Sequence, residues 1–217
     1  MKNELLKRIL SSVALIAVAF FFIIKGSIFF NFFILTVLTI TLYEWHFLSL
    51  KKIYYLPGII FIIFSLYTCY FLRSESDYKI FLLILITCIS TDIGGYVFGK
   101  ILKGPKLTKI SPNKTYAGMF GGLLLSIISV VVLFYYQNNF NNFISLVNID
   151  FTMTLFLLII LTSLISQIGD LIISYFKRLA KVKDTGNLLP GHGGLLDRVD
   201  GIIFALPVSY IIFDYLK

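Results

Sequence analysis

The 217-residue chain is 58% hydrophobic and only 14% charged, with a mean hydropathy of +0.91. A water-soluble domain has too little interior to bury that much apolar surface, so this class is excluded. The composition instead predicts one all-α, polytopic integral membrane domain over residues 1–217. The two cysteines, Cys69 and Cys88, lie in apolar runs and are expected to be small packing residues rather than a disulfide.

Seven apolar runs are predicted to be transmembrane helices, because each is close to the length that crosses a bilayer. Three basic residues precede the first run, as in a signal peptide, but no convincing cleavage site follows, which favours an uncleaved helix. Only Lys25 and Gly26 separate the first two runs, which are therefore either a hairpin of tilted helices or one bent element. The runs cover about residues 9–24, 27–43, 53–72, 80–99, 116–136, 151–176 and 201–216.

The second run ends with Glu44, Trp45 and His46. Trp and His at the end of a helix are typical anchors at the membrane interface. A structural role for these three residues is therefore favoured over catalysis.

The basic residues are distributed unevenly between the two sides of the predicted membrane domain. With the N-terminus inside, 15 of the 19 Lys and Arg residues fall on the inner side. This bias predicts a cytoplasmic N-terminus and places the polar loops 100–115 and 177–200 on the cytoplasmic face. It also accounts for the net charge of +8 without nucleic acid as a partner.

Two carboxylates, Asp92 and Asp170, lie inside apolar runs, where an ionised group is costly unless it is paired, hydrated or bound to a metal. Neutralisation against a neighbouring helix is the structural alternative for both. Asp170, Ser174, Lys177 and Arg178 have helical spacing and lie on one face. A carboxylate, a hydroxyl and two cations on one face suit a site for a divalent cation and phosphate groups.

The loop 100–115 carries five lysines, which are either simple charge bias or an electrostatic funnel for a nucleotide or a lipid headgroup. Ser111 and Pro112 predict the start of a helix, with Ser as N-cap and Pro at the first helical position. A helix N-terminus with Lys114 close to it is a candidate anion site.

The segment PGHGG at 190–194 is backbone that a ligand can approach closely, with N–H groups free to bind phosphate. His192 could bind a phosphate or orient a water molecule. Asp197 and Asp200 share a face if the last helix has begun, and Arg198 adds a phosphate clamp.

The last two predicted helices are antiparallel, so Asp170 and Asp197 can meet at a similar depth. Together with phosphate oxygens they would form a magnesium site. No P-loop, GxSxG or HExxH motif occurs in the chain, which disfavours the enzyme classes that depend on them.

The ordered block from Ser174 to Asp200 resembles the signature of the phosphatidate cytidylyltransferases, or CDP-diacylglycerol synthases. Every fixed position of that signature is filled at the family's spacing. Four further segments also resemble the family: QIGD at 167–170, SPNKT at 111–115, Asp92 with Gly95-Tyr96, and Glu44-Trp45 at the end of the second run. The block itself comprises Ser174, Lys177, Arg178, Lys183, Asp184, Pro190, Gly191, His192, Gly193, Gly194, Asp197, Arg198 and Asp200.

The resemblance implies that CTP and phosphatidate react to give CDP-diacylglycerol and pyrophosphate at a bacterial-type inner membrane, with the active site facing the cytoplasm. It implies Mg²⁺ or another divalent cation on Asp170 and Asp197, within a catalytic region over 91–217 that follows N-terminal spans over 1–90. The basic residues would neutralise phosphate charge, and a homodimer is one arrangement that the resemblance leaves open. The other implied site residues are, for catalysis, Ser174, Lys177, Arg178, Lys183, Asp184, His192 and Asp200, and, for substrate binding, Asp92, Ser111, Lys114, Thr115, Gly191, Gly193, Gly194 and Arg198.

Three positions depart from the family pattern: Asn113, Tyr116 and Ala117. A carboxylate role at 117 therefore cannot be carried over. Two alternative functions remain: a related CTP-dependent enzyme acting on another lipid phosphate or a polyprenol, and an ion-coupled transporter with Asp92 and Asp170 along its path.

Overall fold

The computed structural model describes residues 17–74, 78–108, 110–139, 153–188 and 193–215. Within these ranges the chain is built of α-helices, and five of them are long and apolar enough to cross a membrane. The prediction of an all-α integral membrane protein is confirmed. The helices are α1 (17–25), α2 (Ser27–Ser49), α3 (Tyr55–Ser74), α4 (Tyr78–Leu102), α5 (Tyr116–Asn139), α6 (Met153–Leu179) and α7 (Leu196–Tyr215).

The five membrane-length helices are α2 to α6. In the described part of the chain, α7 does not meet the same criterion, and only nine residues of α1 are described. The predicted number of helices, seven, therefore agrees with the described part of the structure. Five of these helices are long and apolar enough to cross a membrane.

Gly26 separates α1 from α2 with a left-handed backbone conformation, φ +63°. The ring of Phe22 stacks on that of Phe33 at 5.6 Å. One continuous helix rises about 1.5 Å per residue and would hold these rings much farther apart. Of the two arrangements that the sequence allowed, the structure therefore shows two helices that fold back at Gly26. Arg73, at the end of α3, donates from Nε to the carbonyl of Ile23 at 2.9 Å and so closes the end of α1.

Glycines allow the backbones of α4 and α5 to approach closely. A Cβ on Gly94 would lie 2.5 Å from the carbonyl oxygen of Gly121, and one on Gly122 would lie 2.7 Å from that of Thr91. Small residues at a helix interface are typical of membrane proteins, where close backbone packing replaces the hydrophobic effect as the source of association.

Buried hydroxyl groups connect the other helices. Thr91 donates to Ser163 at 2.8 Å between α4 and α6, and Ser65 donates to the carbonyl of Ile203 at 2.6 Å between α3 and α7. The second bond has a specific cause: Pro207 lacks the N–H that would otherwise bind the Ile203 carbonyl four residues earlier. Ser65 satisfies that carbonyl, as an apolar environment requires.

The predicted helix start at Ser111 is wrong. The structure has a turn there, in which the Ser111 carbonyl accepts the N–H of Lys114 at 3.1 Å, and α5 begins five residues after Ser111. Thr115 is the cap instead, because its hydroxyl accepts the N–H of Gly118 at 3.0 Å. The turn is held by a short antiparallel pairing of Lys106 with Thr115, which competes successfully with an earlier helix start.

The interpretation of Trp45 as an interfacial anchor is also wrong. Its side chain is only 2% exposed. The indole packs edge-on against Phe176 with ring centroids 5.2 Å apart, and its Nε1 donates to the carbonyl of Tyr55 at 3.1 Å. The cause is that α2 continues to Ser49, so Trp45 lies within the helix and faces α6.

Candidate active site

The residues after α6 fold around the carboxylate of Asp197, the second residue of α7. Asp197 Oδ1 accepts a hydrogen bond from the ammonium of Lys177 at 2.6 Å. Its Oδ2 accepts three more: from the backbone N–H of Thr185 at 2.8 Å, from the Thr185 hydroxyl at 3.0 Å, and from the N–H of Gly194 at 3.2 Å. The Lys177 and Asp197 side chains are 11% and 5% exposed. This buried pair therefore ties α6, the connecting loop and α7 together.

Two glycines of the PGHGG segment are described, and both are close to this carboxylate. Gly193 has φ +87°, a conformation that favours glycine. A Cβ on Gly194 would collide with the Thr185 hydroxyl and with the carboxylate of Glu44. The expectation of N–H groups free for phosphate is wrong for Gly194, because its N–H is donated to Asp197. Gly191 and His192 lie outside the described residues.

Glu44 is part of the site, although the sequence analysis gave it only a structural role at the end of the second run and did not include it among the site residues. Its carboxylate is 3% exposed and accepts the N–H groups of Leu195 and Leu196 and the Thr185 hydroxyl, each at 2.8 Å. The first N–H groups of a helix lack partners within the helix, and that end carries partial positive charge. A carboxylate of α2 therefore caps α7. Two signals were available, a carboxylate within an apolar run and the resemblance of Glu44-Trp45 to the family, but the interfacial interpretation of the aromatic neighbours obscured both.

A second carboxylate–lysine pair lies along α6. Asp170 Oδ2 is 2.5 Å from the ammonium of Lys114, which arrives from the loop before α5. The Ser174 hydroxyl donates to Asp170 Oδ1 at 3.3 Å, so these two residues share a helix face as predicted. The same ammonium also donates to the carbonyl of Gln167 at 3.4 Å. Lys114 therefore joins the lysine-rich loop to α6.

Two more carboxylates lie near Asp170. Asp92 of α4 and Asp200 of α7 are both close enough to Asp170 for their charges to interact. Asp200 is 7% exposed and accepts the N–H of Gly201 at 2.8 Å. Because α6 and α7 are antiparallel, Asp200 lies one turn further along α7, towards the depth of Asp170, than Asp197 does.

These oxygen donors fit a hard divalent cation chemically, since carboxylate and hydroxyl oxygens are the ligands that Mg²⁺ prefers. Asp170 and Ser174 present such oxygens side by side. Within the described ranges, however, no three His, Cys, Asp or Glu side chains converge as a ready-made metal site. The oxygens of Asp197 are turned to protein donors in this arrangement.

The remaining predicted residues lie at the rim of the site. Arg178 is exposed, and its guanidinium donates to the carbonyl of Val182 at 3.3 Å, away from buried Lys177. Lys183, Asp184 and Arg198 are also exposed. Of the four residues predicted to share one face of α6, Asp170, Ser174 and Lys177 therefore face the helix interface. Arg178 faces outwards.

Ionisable residues inside a helical membrane domain mark a candidate functional site, and the lysines and arginines beside them are suitable donors to phosphate groups. A family model described as "Cytidylyltransferase family" matches residues 58–216. The match covers most of α3, all of α4 to α7, and both loops of the site. The chain belongs to the cytidylyltransferase family.

Curated relatives agree with this assignment. The chain is 37% identical over 221 residues to a phosphatidate cytidylyltransferase of Rickettsia bellii, across 97% of this chain and 91% of the relative. It is 42% identical over 144 residues to one of Staphylococcus saprophyticus and 40% identical over 147 residues to one of Staphylococcus haemolyticus. These matches cover 64% and 66% of this chain, which spans about half the length of each staphylococcal relative, 50% and 52%.

Proposed function

We propose that the protein transfers a cytidylyl group from CTP to phosphatidate, giving CDP-diacylglycerol and pyrophosphate. Family membership and the printed names of the bacterial relatives support this reaction over the transporter alternative. The observation that carries the proposal is the clustering of two carboxylate–lysine pairs, Asp170 with Lys114 and Asp197 with Lys177. Such clustering suits a reaction between two polyanions, which must be held together against their mutual repulsion.

The chemistry needs positioning and charge neutralisation. An oxygen of the lipid phosphate attacks the α-phosphorus of CTP, a new phosphorus–oxygen bond forms, and the bond to the oxygen bridging the α- and β-phosphates breaks. The bonding electrons leave with pyrophosphate. The nucleophile is already an anion, so no strong general base is required.

We assign charge neutralisation to the basic residues around the two pairs. Lys114 and Lys177 are paired with the carboxylates of Asp170 and Asp197, and Arg178, Lys183 and Arg198 are exposed at the rim, where a nucleotide can reach them. The planar guanidinium groups suit bidentate contact with phosphate oxygens. Ser111 and Thr115, which are uncharged residues of the lysine-rich segment before α5, position Lys114 through the turn there.

We further propose that Asp170 and Asp197 hold Mg²⁺ or another divalent cation, with Ser174 in contact with the metal or a phosphate. When bound, such a cation would neutralise the charge that develops between the α- and β-phosphates. The proposal is supported by the hydroxyl of Ser174 beside Asp170. Asp197 would exchange protein donors such as the Lys177 ammonium for the cation.

We also propose that the site faces the cytoplasm from a bacterial inner membrane. The support is the distribution of basic residues, because 15 of 19 fall on the side of the two polar loops. CTP is available on that side, so the orientation is consistent with the proposed substrate.

The test uses the full chain in washed membranes, given labelled CTP, phosphatidate and Mg²⁺. A labelled CDP-lipid and stoichiometric pyrophosphate are expected, and both should disappear with EDTA. Parallel reactions with a polyprenyl phosphate or a polyprenol separate phosphatidate from the alternative lipid substrates. Absence of a CDP-lipid with every acceptor, from protein that is inserted and folded, would refute the proposal.

A further inference from the structure

Glu44 lies outside the residues 58–216 that the family model matches, yet it contacts the loop and helix that carry Asp197. In the chain it is separated from Leu195 by 151 residues and from Thr185 by 141. Its carboxylate accepts three hydrogen bonds, all at 2.8 Å, from donors outside its own helix. Because Glu44 is only 3% exposed, its carboxylate needs these hydrogen-bond donors to offset the loss of hydration.

The surrounding backbone is shaped to admit this carboxylate. A Cβ on Gly186 would lie 2.9 Å from Glu44 Oε1, and a Cβ on Gly194 would collide with Oε2. Both positions therefore require a residue without a side chain while Glu44 is in place. The Glu44 side chain of α2 therefore contacts both ends of the loop between α6 and α7, residues 185–186 and 194–196.

The Thr185 hydroxyl links Glu44 to the site. It lies 2.8 Å from Glu44 Oε2 and 3.0 Å from Asp197 Oδ2. A hydroxyl has a single proton, so the two carboxylates share one donor. The backbone N–H of Thr185 also binds Asp197 Oδ2, at 2.8 Å. A displacement of Thr185 therefore moves two donors of Asp197 at once.

We infer that Glu44 is a positioning residue, which fixes the N-terminus of α7 and Thr185 and thereby sets the position of the Asp197 carboxylate. It acts through Thr185 and the backbone of α7 and does not itself touch substrate. The inference rests on the proposed role of Asp197 in cation binding. Outer partners of a metal ligand commonly change metal affinity about 10- to 100-fold when mutated.

The test measures binding of Mn²⁺, used as a probe for the divalent cation, to the purified full chain in lipid nanodiscs by electron paramagnetic resonance. Glu44→Gln keeps the size of the side chain but places an NH₂ group against N–H and O–H donors. We expect its dissociation constant for Mn²⁺ to rise about tenfold or more. Thr185→Val should have a similar effect, and Thr185→Ser should bind Mn²⁺ nearly as wild type does, because it keeps the hydroxyl.

Thr41→Val is the matched control. Thr41 lies on α2 one turn before Glu44, is fully buried, and donates to the carbonyls of Val37 and Leu38 in its own helix. Thr41→Val should leave the dissociation constant for Mn²⁺ within about twofold of the wild-type value. Glu44→Asp, which keeps the charge on a shorter side chain, should fall between wild type and Glu44→Gln, and it replaces that variant if Glu44→Gln does not fold.

Amide hydrogen exchange at Leu195 and Leu196 provides a readout that needs no metal. Faster exchange in Glu44→Gln than in Thr41→Val supports the anchoring of α7. Reduced thermal stability with unchanged Mn²⁺ affinity and unchanged exchange would overturn the inference and leave Glu44 with a packing role. Wild-type protein that binds Mn²⁺ but forms no CDP-lipid would refute the proposed function, while the same comparison of variants would still decide the role of Glu44.

Discussion

The buried pair of Lys177 and Asp197 allows a quantitative prediction. Lys177→Met removes the ammonium and leaves a carboxylate that is 5% exposed without its counter-charge. Breaking a buried ion pair by removing one partner costs about 3–5 kcal/mol. Asp197 retains the backbone N–H donors of Thr185 and Gly194 and a share of the Thr185 hydroxyl proton, which places the cost at the lower end, about 3 kcal/mol. That is more than a factor of about 100 in the unfolding equilibrium.

The assay is a double-mutant cycle with Asp197→Asn, measured by SDS-induced unfolding in mixed micelles. Asp197→Asn leaves a buried ammonium and should also cost about 3 kcal/mol or more. The double variant carries neither charge, so its loss of stability should be smaller than the sum of the two by about 2–3 kcal/mol. Lys181→Met, at an exposed lysine of the same loop, should stay within about 0.5 kcal/mol of wild type.

An additive cycle would refute the reasoning, because it would mean that the two charges do not stabilise each other in the folded protein. Turnover gives an independent result. Both single variants should lose at least about 100-fold in CDP-lipid formation, and so should the double variant, because restored stability does not restore the missing charges.

Three further predictions follow from the packing and the basic loop. Gly94→Ala should destabilise the protein by about 1–3 kcal/mol, because its Cβ would press on the facing backbone; Gly95→Ala, whose Cβ would have 3.7 Å of room, should be tolerated in the same unfolding assay. Thr115→Val should lower the free energy of unfolding by about 1 kcal/mol through loss of the α5 cap, whereas Ser111→Ala should lower it by less than about 0.5 kcal/mol. Equal losses would indicate that Ser111, and not Thr115, caps the helix. Lys114→Met should raise the KM for CTP about tenfold in steady-state kinetics, and an unchanged KM would remove this lysine from nucleotide binding.

Local patterns predicted much of the site. The spacing of Asp170 and Ser174 predicted a shared helix face, and their hydroxyl–carboxylate contact at 3.3 Å confirms it. The helical spacing of Asp197 and Asp200 likewise required only that α7 had begun, and it begins at Leu196. Such predictions depend on the geometry of one helix, which the sequence specifies directly.

Predictions that depended on competing local structures were less successful. Ser111 followed by Pro112 is a good helix start by its chemistry, but the pairing of Lys106 with Thr115 holds the segment in a turn. Glu44 was assigned to the membrane interface because the identity of its partners is not a local property. Those partners lie more than 140 residues away in the chain.

The sequence by itself determined the class of protein, the number and approximate extent of its helices, and the block of charged and glycine residues that identifies its family. These properties follow from hydropathy and from spacing along the chain, which tertiary contacts do not alter. The tertiary structure alone decided which lysine pairs with which carboxylate, and that a carboxylate of α2 caps α7. The physical reason is that a buried charge must be matched by whichever donors the packed helices bring to it, and that packing is a property of the whole chain.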